Sequence, residues 1–522
     1  MPLPSEKPPS EQGLTPQRGG IFQTVGIRPL EHLHPWTQST PANATFYLNG
    51  GVYDQLVDNA YSPDEDHRFA NKIVPELAEQ WELRDTTLYT FALRKNVKWH
   101  DGQPLTAADV KWSIEFIADP ANRILGTPNL KGIESINAPD EATLQVKLKE
   151  PEVDFLTKLV SSSRMSILPK HLHDRGDSLE KVAVGTGPFK VESFARDRGV
   201  VYAANRDYWK PGMPYVDKVR ILPAVDEAGR TAAFFAGQND VMKAAAKPQA
   251  EAVLAQNPQA RLSTFFQENN VELWMRLDRP PFSDVKVRQA IQLAIDRQAI
   301  IATLTHGDGF MNPPVINGIY KAWALEPAEF HGMPGWRAPK EQDLLRARQL
   351  LREAGHAQGL SFTMKVDRNN PNWPAVAEMI SAQLRDVGVD AKLQPMESAV
   401  YNKAIADGDY EAYVSGGLTV AQWPASLHSS GLNNYIHLRD PEVDRLIEGQ
   451  ARQFDEAKRT EALRNIQRVL IHQSYTVPTV TYPGYLLLQP WVHGFVDNRG
   501  ANVSNPDWSQ LWLDVARTPT NR

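Results

Sequence analysis

The run LRKNVKWHDGQPLTAADV, Leu93 to Val110, packs a strand end, a turn and the start of a capped helix into one short segment. Just upstream, Tyr89, Phe91 and Leu93 alternate with Leu88, Thr90 and Ala92, which predicts a strand filled on both faces. Asp101-Gly102 supplies the turn. Thr106 is placed to cap a helix from Ala107 to Ile117, with Asp109 three positions on as the second half of a capping box. To either side, Ile21 to Ile27, Leu144 to Leu148 and Lys218 to Leu222 read as strands, the second with one solvated face. Asn49 to Val57 reads as a Gly-containing loop leading into a helix or strand.

Beyond Pro280-Pro281 the periodicity turns helical. Asp284 can cap a helix carrying Val287, Ala290, Ile291, Ala294 and Ile295 at spacings of three and four. Leu344, Leu345, Ala347, Leu350 and Leu351 repeat the pattern, and Gly355 stops it. Ala375 to Asp386 and Glu456 to Gln473 are two more helices. Strands at Ser361 to Val366, Ala391 to Pro395 and Tyr410 to Val414 lie among them. Such alternation predicts an α/β architecture.

At 522 residues the chain exceeds one ordinary core, so at least two lobes are expected. Hydrophobic residues make up 42% and charged residues 23%, as in a soluble globular protein. A formal charge of -6, from 56 basic and 62 acidic residues, gives no electrostatic case for nucleic acid or an anionic membrane. With no cysteine, disulfides, thiolate metal sites and cysteine nucleophiles are ruled out. Met1 to Gly20 has no apolar core, so it is neither a secretory signal nor an anchor. The expectation is a disordered segment through residue 17, with a signal trimmed away and Met1 added for expression. Ala412 to Leu438 and Val469 to Val496 carry no charge but are polar or broken by Pro478, Pro483 and Pro490. They suit a cleft wall or central strands, not membrane helices.

The motifs of common chemistries are missing. The sequence has no phosphate loop of the Walker type, no Gly-x-Ser-x-Gly elbow and no His-Glu-x-x-His helix. Gly185-Thr186-Gly187-Pro188 is too short for a dinucleotide fingerprint and reads as a tight turn. His32-x-His34 and His171-x-His173 lack a nearby carboxylate set and read as surface loop histidines, while Asp64, Glu65 and Asp66 read as solvated charge. The chain has 13 Trp and 15 Tyr. Most are expected to fill the core, and those in polar, Gly-rich contexts such as Trp423 are candidates for gripping a solute.

Several stretches together resemble the extracytoplasmic solute-binding proteins of ABC importers, in the large peptide, opine and nickel family. They are Leu93 to Val110 preceded by Pro75-Glu76-Leu77-Ala78-Glu79-Gln80-Trp81, then Gly185 to Phe189 followed by Asn205-Arg206-Asp207-Tyr208-Trp209, then Pro280 to Ala290, then Ala347 to Gly355. They occur in the family's order from about Arg18 to the C-terminus. Physically they read as turns, caps and helix starts, so they identify a scaffold and not a solute.

The resemblance implies a two-lobed periplasmic-binding-protein fold with an extra domain on the first lobe. On that basis residues 18–46, 184–268 and 490–522 form the first lobe, 47–183 the extra domain and 269–489 the second lobe, with a hinge near Phe265 to Leu277. It implies a monomeric periplasmic receptor, not an enzyme, with a peptide or small-molecule ligand, ABC permease subunits as partners and no cofactor. The alternatives from other classes are a secreted hydrolase of peptides or glycans and a ligand-sensing partner of a signalling receptor.

In peptide-binding relatives an Asp after a second-lobe strand pairs with the ligand's amino group. The matching segment here, Ser415 to Pro424, has no acid, and none occurs between Glu411 and Asp440. A buried ammonium without a counter-charge would cost several kcal/mol. The expectation therefore shifts from a simple peptide toward an opine- or sugar-conjugate. Ser415, Gly416, Gly417, Thr419, Gln422, Trp423, Asn433, Asn434 and Tyr435 are the candidate contacts, and Trp423→Ala should weaken binding without unfolding the protein. Trp274, Met275 and Arg276 lie near the hinge, Arg276 with a planar fork suited to an anion. Asn49, Gly50 and Gly51 are the candidates from the first lobe. A nickel complex is a family ligand, but no metal shell is evident.

Overall fold

The structure is a computed structural model that describes residues 14–519 except 27–28, 39–46, 60–72, 125–129, 161–164, 224, 312, 317–319, 321, 496, 499–504 and 507. The chain divides into two compact units, one of residues up to Phe265 and from Gly484, the other Phe266–Pro483.

Among the described residues the first unit holds two four-stranded sheets and smaller two-stranded pairings. Strands β1 (Ile21–Val25), β2 (Ala78–Arg84) and β3 (Leu88–Leu93) are followed by helix α1 (Ala107–Ala118), then β4 (Ile133–Asp140), β5 (Thr143–Leu148), β6 (Phe189–Ala195), β7 (Gly199–Ala204) and β8 (Lys218–Leu222). One four-stranded sheet has the order β1-β8-β7-β6, and the other the order β2-β3-β5-β4. β1 runs parallel to β8, and the remaining pairings are antiparallel. In β3, Tyr89, Phe91 and Leu93 are buried while Leu88, Thr90 and Ala92 are only half covered. The strand is therefore one-sided, not filled on both faces, because an antiparallel sheet can leave its second face partly open. The helix start agrees with its sequence: the Asp109 carboxylate accepts the Thr106 backbone N–H and hydroxyl, both at 2.9 Å. Asn49 to Val57 forms turns and isolated bridges leading into the short strand Val57–Asn59.

Those of the resembling segments that lie in the first unit converge on one buried carboxylate. Asp54 accepts hydrogen bonds from Thr186 Oγ1 and Trp209 Nε1 at 2.9 Å each, and from the Tyr208 hydroxyl at 3.5 Å. Next to it, Glu76 accepts the Gln55 N–H at 2.8 Å, and the Glu76 carbonyl takes Arg94 Nε at 2.6 Å. The Arg94 guanidinium in turn lies over the Trp209 ring at 4.6 Å. The Gly185 turn docks beside them. Gly187 N–H donates to the Val52 carbonyl at 3.0 Å and Phe189 N–H to that of Gly51 at 2.8 Å. A Cβ on Gly185 would collide with the Val52 carbonyl, so this close approach requires glycine. Burial raises the Asp54 pKa, opposed by the Trp209 bond and the Lys210 charge, and raises that of Glu76 further because Asp58 and Asp54 are close.

The chain leaves the first unit within a long strand. After β9 (Val241–Ala244), β10 (Arg261–Met275) crosses into the second unit. There follow α2 (Val285–Ala294), α3 (Arg297–Leu304), α4 (Glu341–Glu353), β11 (Leu360–Asp367), α5 (Trp373–Arg385), β12 (Val389–Met396), β13 (Ala412–Gly416), α6 (Pro441–Ala451) and α7 (Glu456–Gln473). β14 (Thr476–Leu488) brings the chain back, and its last residues pair with β9.

Within the second unit the strand order is β14-β10-β13-β11-β12. β10 and β13 are antiparallel, whereas β13, β11 and β12 run parallel. Val271, Leu273 and Met275 pack with residues of α2, α4 and α5, among them Ile291, Leu350 and Ile380, in one apolar cluster. Both charge-free stretches contribute strands with a partner on each side, β13 between β10 and β11, and β14 between β10 and β9. Among the described residues no helix is long and apolar enough to cross a membrane.

Replacing Asp54 by Ala leaves the Thr186 and Trp209 donors without their acceptor. The expected loss is about 2–4 kcal/mol in the unfolding of the first unit, read as a lower urea midpoint by tryptophan fluorescence. A midpoint equal to wild type would show that this carboxylate does not hold the segments together.

Candidate functional site

The two faces of the β10–β13 pair differ in chemistry. Register sets Leu273 opposite Val414 and Met275 opposite Ala412, all in the apolar cluster. The alternate pairs, Glu272 with Ser415 and Trp274 with Tyr413, stand on the other face because successive side chains point to opposite sides of a strand. The Trp274 and Tyr413 rings stack at 6.2 Å and 10°. The Trp274 indole N–H donates to the Gly416 carbonyl at 3.2 Å, tying the ring to the end of β13.

The structure brings Trp274, Ser415 and Gly417 together on this face, with the Gly416 carbonyl bonded to the Trp274 indole. Gly417 N–H donates to the Asn270 carbonyl at 2.8 Å and so extends the pairing past the strand end. Met275 is instead enclosed in the core. Arg276 is taken up internally: its Nε donates to Asp278 Oδ1 at 2.8 Å, Nη2 to Oδ2 at 3.3 Å, and Nη1 to the Gly408 carbonyl. The Asp278 hydrogen bond raises the Arg276 pKa, and the fork that suited an anionic ligand is already filled.

The loop after β13 makes most of its hydrogen bonds within itself, although the buried Thr419 hydroxyl has no partner among the described residues. Thr419 N–H donates to Gln422 Oε1 at 2.9 Å. Asn434 donates through Nδ2 to the His428 and Leu438 carbonyls and accepts the Leu438 N–H, while Asn433 and Tyr435 are exposed. Trp423 is only 1% exposed. Its replacement by Ala therefore removes a fully enclosed indole, and the expectation that the protein would stay folded unchanged is corrected to a loss of about 3–5 kcal/mol. In the first unit, Asn49 accepts the Ser166 hydroxyl at 3.0 Å, and a Cβ on Gly51 would meet the Trp508 ring at 2.9 Å. Gly50 turns the chain with φ +72°.

One residue on the polar face was absent from the sequence candidates. Glu272 is 2% exposed, and its Oε1 accepts Asn270 Nδ2 at 2.7 Å. Among the described residues no Lys, Arg or His forms an ion pair with it. Burial pushes its pKa up to about 8, with Thr476 and the Arg297 charge opposing. The sequence signal was a lone acid in the otherwise apolar strand Val271-Glu272-Leu273-Trp274-Met275.

The histidine pairs are not free surface loops, because tertiary packing sets them among aromatic rings. Trp36 lies 5.5 Å from His34 and 5.8 Å from Trp112, and Trp112 lies 4.9 Å from His173. Burial lowers the His34 pKa to about 4, with His32 and His173 adding to the effect. His171 pairs with Asp101 at 2.7 Å. Among the described residues no group of three or more His, Asp or Glu could hold a metal ion. Asp64, Glu65 and Asp66 lie outside the described residues.

Comparison with known proteins agrees with this architecture. Residues 72–434 match the model of the bacterial extracellular solute-binding proteins, family 5 middle region. The chain is 27% identical over 485 residues to di/tripeptide-binding protein 1 of Pseudomonas aeruginosa, covering 86% of this chain and 88% of that one. It is 25% identical over 466 residues to the glutathione-binding protein GsiB of Shigella boydii, covering 85% and 87%. Among solved structures, the binding protein AgaA of A. tumefaciens R10 in complex with agropinic acid superposes with a TM-score of 0.72 at 26% identity, covering 95% of this chain and 99% of that one.

Glu272 gives a pH dependence whose sign follows from its raised pKa. Between the unfolded value near 4.5 and the folded value of about 8, the folded chain binds the extra proton. Stability therefore falls as pH rises across that window, by up to about 1.4 kcal/mol per pH unit, and levels off above it. Glu272→Gln should flatten the slope relative to wild type and raise the melting temperature at pH 8. Parallel melting curves for the two proteins from pH 4.5 to 8.5 would contradict the assignment.

Proposed function

This chain belongs to the bacterial extracellular solute-binding proteins of family 5, and from that premise we propose that its solute is a small amino-acid derivative, either a short peptide or an opine-type conjugate. The protein is a solute-binding receptor of an ABC importer, and the family is one of binding proteins, not of enzymes. The observation that supports the ligand class is the polar face of the β10–β13 pair, where Glu272, Trp274, Tyr413 and Ser415 stand side by side. An aromatic wall beside hydrogen-bonding groups is what a compact, polar, partly apolar solute requires.

Relatives are named for di- and tripeptides and for glutathione, and AgaA is in complex with agropinic acid; all are amino-acid derivatives. Delivery to permease subunits at the membrane, as a monomer in the periplasm, completes the proposal. The extra domain at 47–183 within the first lobe belongs to it as well. The hydrolase reading is not favoured, since the relatives are binding proteins.

The test is thermal stabilisation by trialanine, glutathione and mannopinic acid, followed by mass spectrometry of the recovered solute. A true ligand at a hundred times its Kd adds about 2.7 kcal/mol of stability and is recovered intact. No stabilisation by any of the three would overturn the ligand class, and recovery of cleaved solute would restore the hydrolase. Trp274→Ala is expected to weaken binding of the stabilising solute by roughly tenfold or more, given the weight of buried aromatic anchors. Unchanged affinity would remove the Trp274–Tyr413 face from the site.

A further inference from the structure

We propose that Glu272 is the carboxylate that receives a protonated amine of the solute in this chain, taking over from the acid that the loop after β13 lacks. The inference rests on the reading above that the solute is an amino-acid derivative. It begins from a gap in the sequence, since no acid occurs between Glu411 and Asp440. Both flanking acids already hold hydrogen bonds of the fold. Glu411 accepts the Thr363 N–H at 2.7 Å. Asp440 caps α6 through the Glu442 N–H at 2.8 Å and accepts the Tyr475 hydroxyl at 2.7 Å.

Strand register fills the gap from elsewhere. Glu272 stands opposite Ser415, so a carboxylate on β10 arrives where the chain leaves β13. Gly417 makes room for it: a Cβ there would collide with Glu272 Oε1 and lie 2.9 Å from Asn270 Nδ2. The Trp274 and Tyr413 rings stand one pair along on the same face, and aromatic faces favour a neighbouring cation.

A purely structural role accounts poorly for this residue. An acid buried to this degree with no ion-pair partner among the described residues destabilises the fold, and a glutamine would accept the same Asn270 hydrogen bond without that penalty. The charged and titratable groups that act on Glu272 are Arg297 at the start of α3 and Tyr413 on β13, with the Thr476 hydroxyl on β14. A ligand ammonium would supply the close counter-charge that this set does not.

Three matched pairs test the idea by calorimetry at pH 6.5. Trialanine and glutathione are each set against the N-acetylated form, and mannopinic acid against agropinic acid, in which the amine nitrogen is closed into a lactam. Wild type is expected to bind at least one amine-bearing member and to lose roughly tenfold or more toward its partner. Glu272→Gln should weaken the amine-bearing member to a similar extent and leave the other nearly unchanged. Because the carboxyl must give up its proton to meet an ammonium, wild type should release a proton on binding, read from buffers of different ionisation heat. Glu272→Gln should release none.

Gly417→Ala serves as a second variant: it crowds the carboxylate without changing charge, and is expected to weaken the amine-bearing member as well. Circular dichroism melting checks that both variants fold. Equal binding of amine-bearing and amine-free partners, or Glu272→Gln binding like wild type, would overturn the inference while leaving the receptor reading in place. Failure of wild type to bind any of the six would overturn both.

Discussion

Asp54 carries a constraint on which the first unit depends. A carboxylate taken fully out of water must be given donors, and here Thr186, Tyr208 and Trp209 provide them from two separate segments. Its neighbour Glu76 ties in a third segment and Arg94, whose guanidinium closes over the Trp209 ring. Moving any one of these stretches leaves a buried polar group unmatched, so they are fixed relative to one another. This gives Glu76, Arg94, Thr186, Tyr208 and Trp209, all in first-unit stretches that resemble the family, a structural role. They secure the frame.

The second unit solves a different problem with the same strand periodicity. One face of β10 joins an apolar core with the helices, and the other bears Glu272 and Trp274. Arg297 shows how the core side treats a charge. It is buried, but donates to the Pro478 carbonyl at 2.7 Å and to that of Gly335 at 2.5 Å, with its guanidinium 4.1 Å from the Trp336 ring centroid. Arg276 is held by Asp278 and Gly408. Glu272 has a single hydrogen bond, from Asn270, and no ion pair among the described residues, against the several bonds of Arg297 and Arg276.

Much of the architecture was legible without coordinates. The helix after Thr106 and the one after Asp284 start where short polar side chains meet an apolar period, and the bonds to Asp109 and from Lys286 N–H follow that local chemistry. Gly355 and Gly388 end helical patterns at positive φ, a conformation that glycine adopts freely. The site was read less well. Arg276 looked available because the sequence does not reveal that Gly408 folds back onto its guanidinium. Trp423 looked like a cleft aromatic because its neighbours are polar; its indole is enclosed, as are Glu272, Trp274 and Tyr413. Glu272 was passed over because acids were sought only along the loop.

The sequence by itself determined the family, the α/β architecture and the caps and turns of most elements, since these depend on residues a few positions apart whose side-chain periods are fixed by backbone geometry. Tertiary structure decided which charges are spent and which are held in reserve. Trp274 and the Gly416 carbonyl that it meets lie 142 residues apart in the chain, and only the antiparallel register of β10 and β13 sets Glu272 against Ser415. A shift of one residue would turn Glu272 into the apolar core and Leu273 out of it, and the burial of that core forbids the slip.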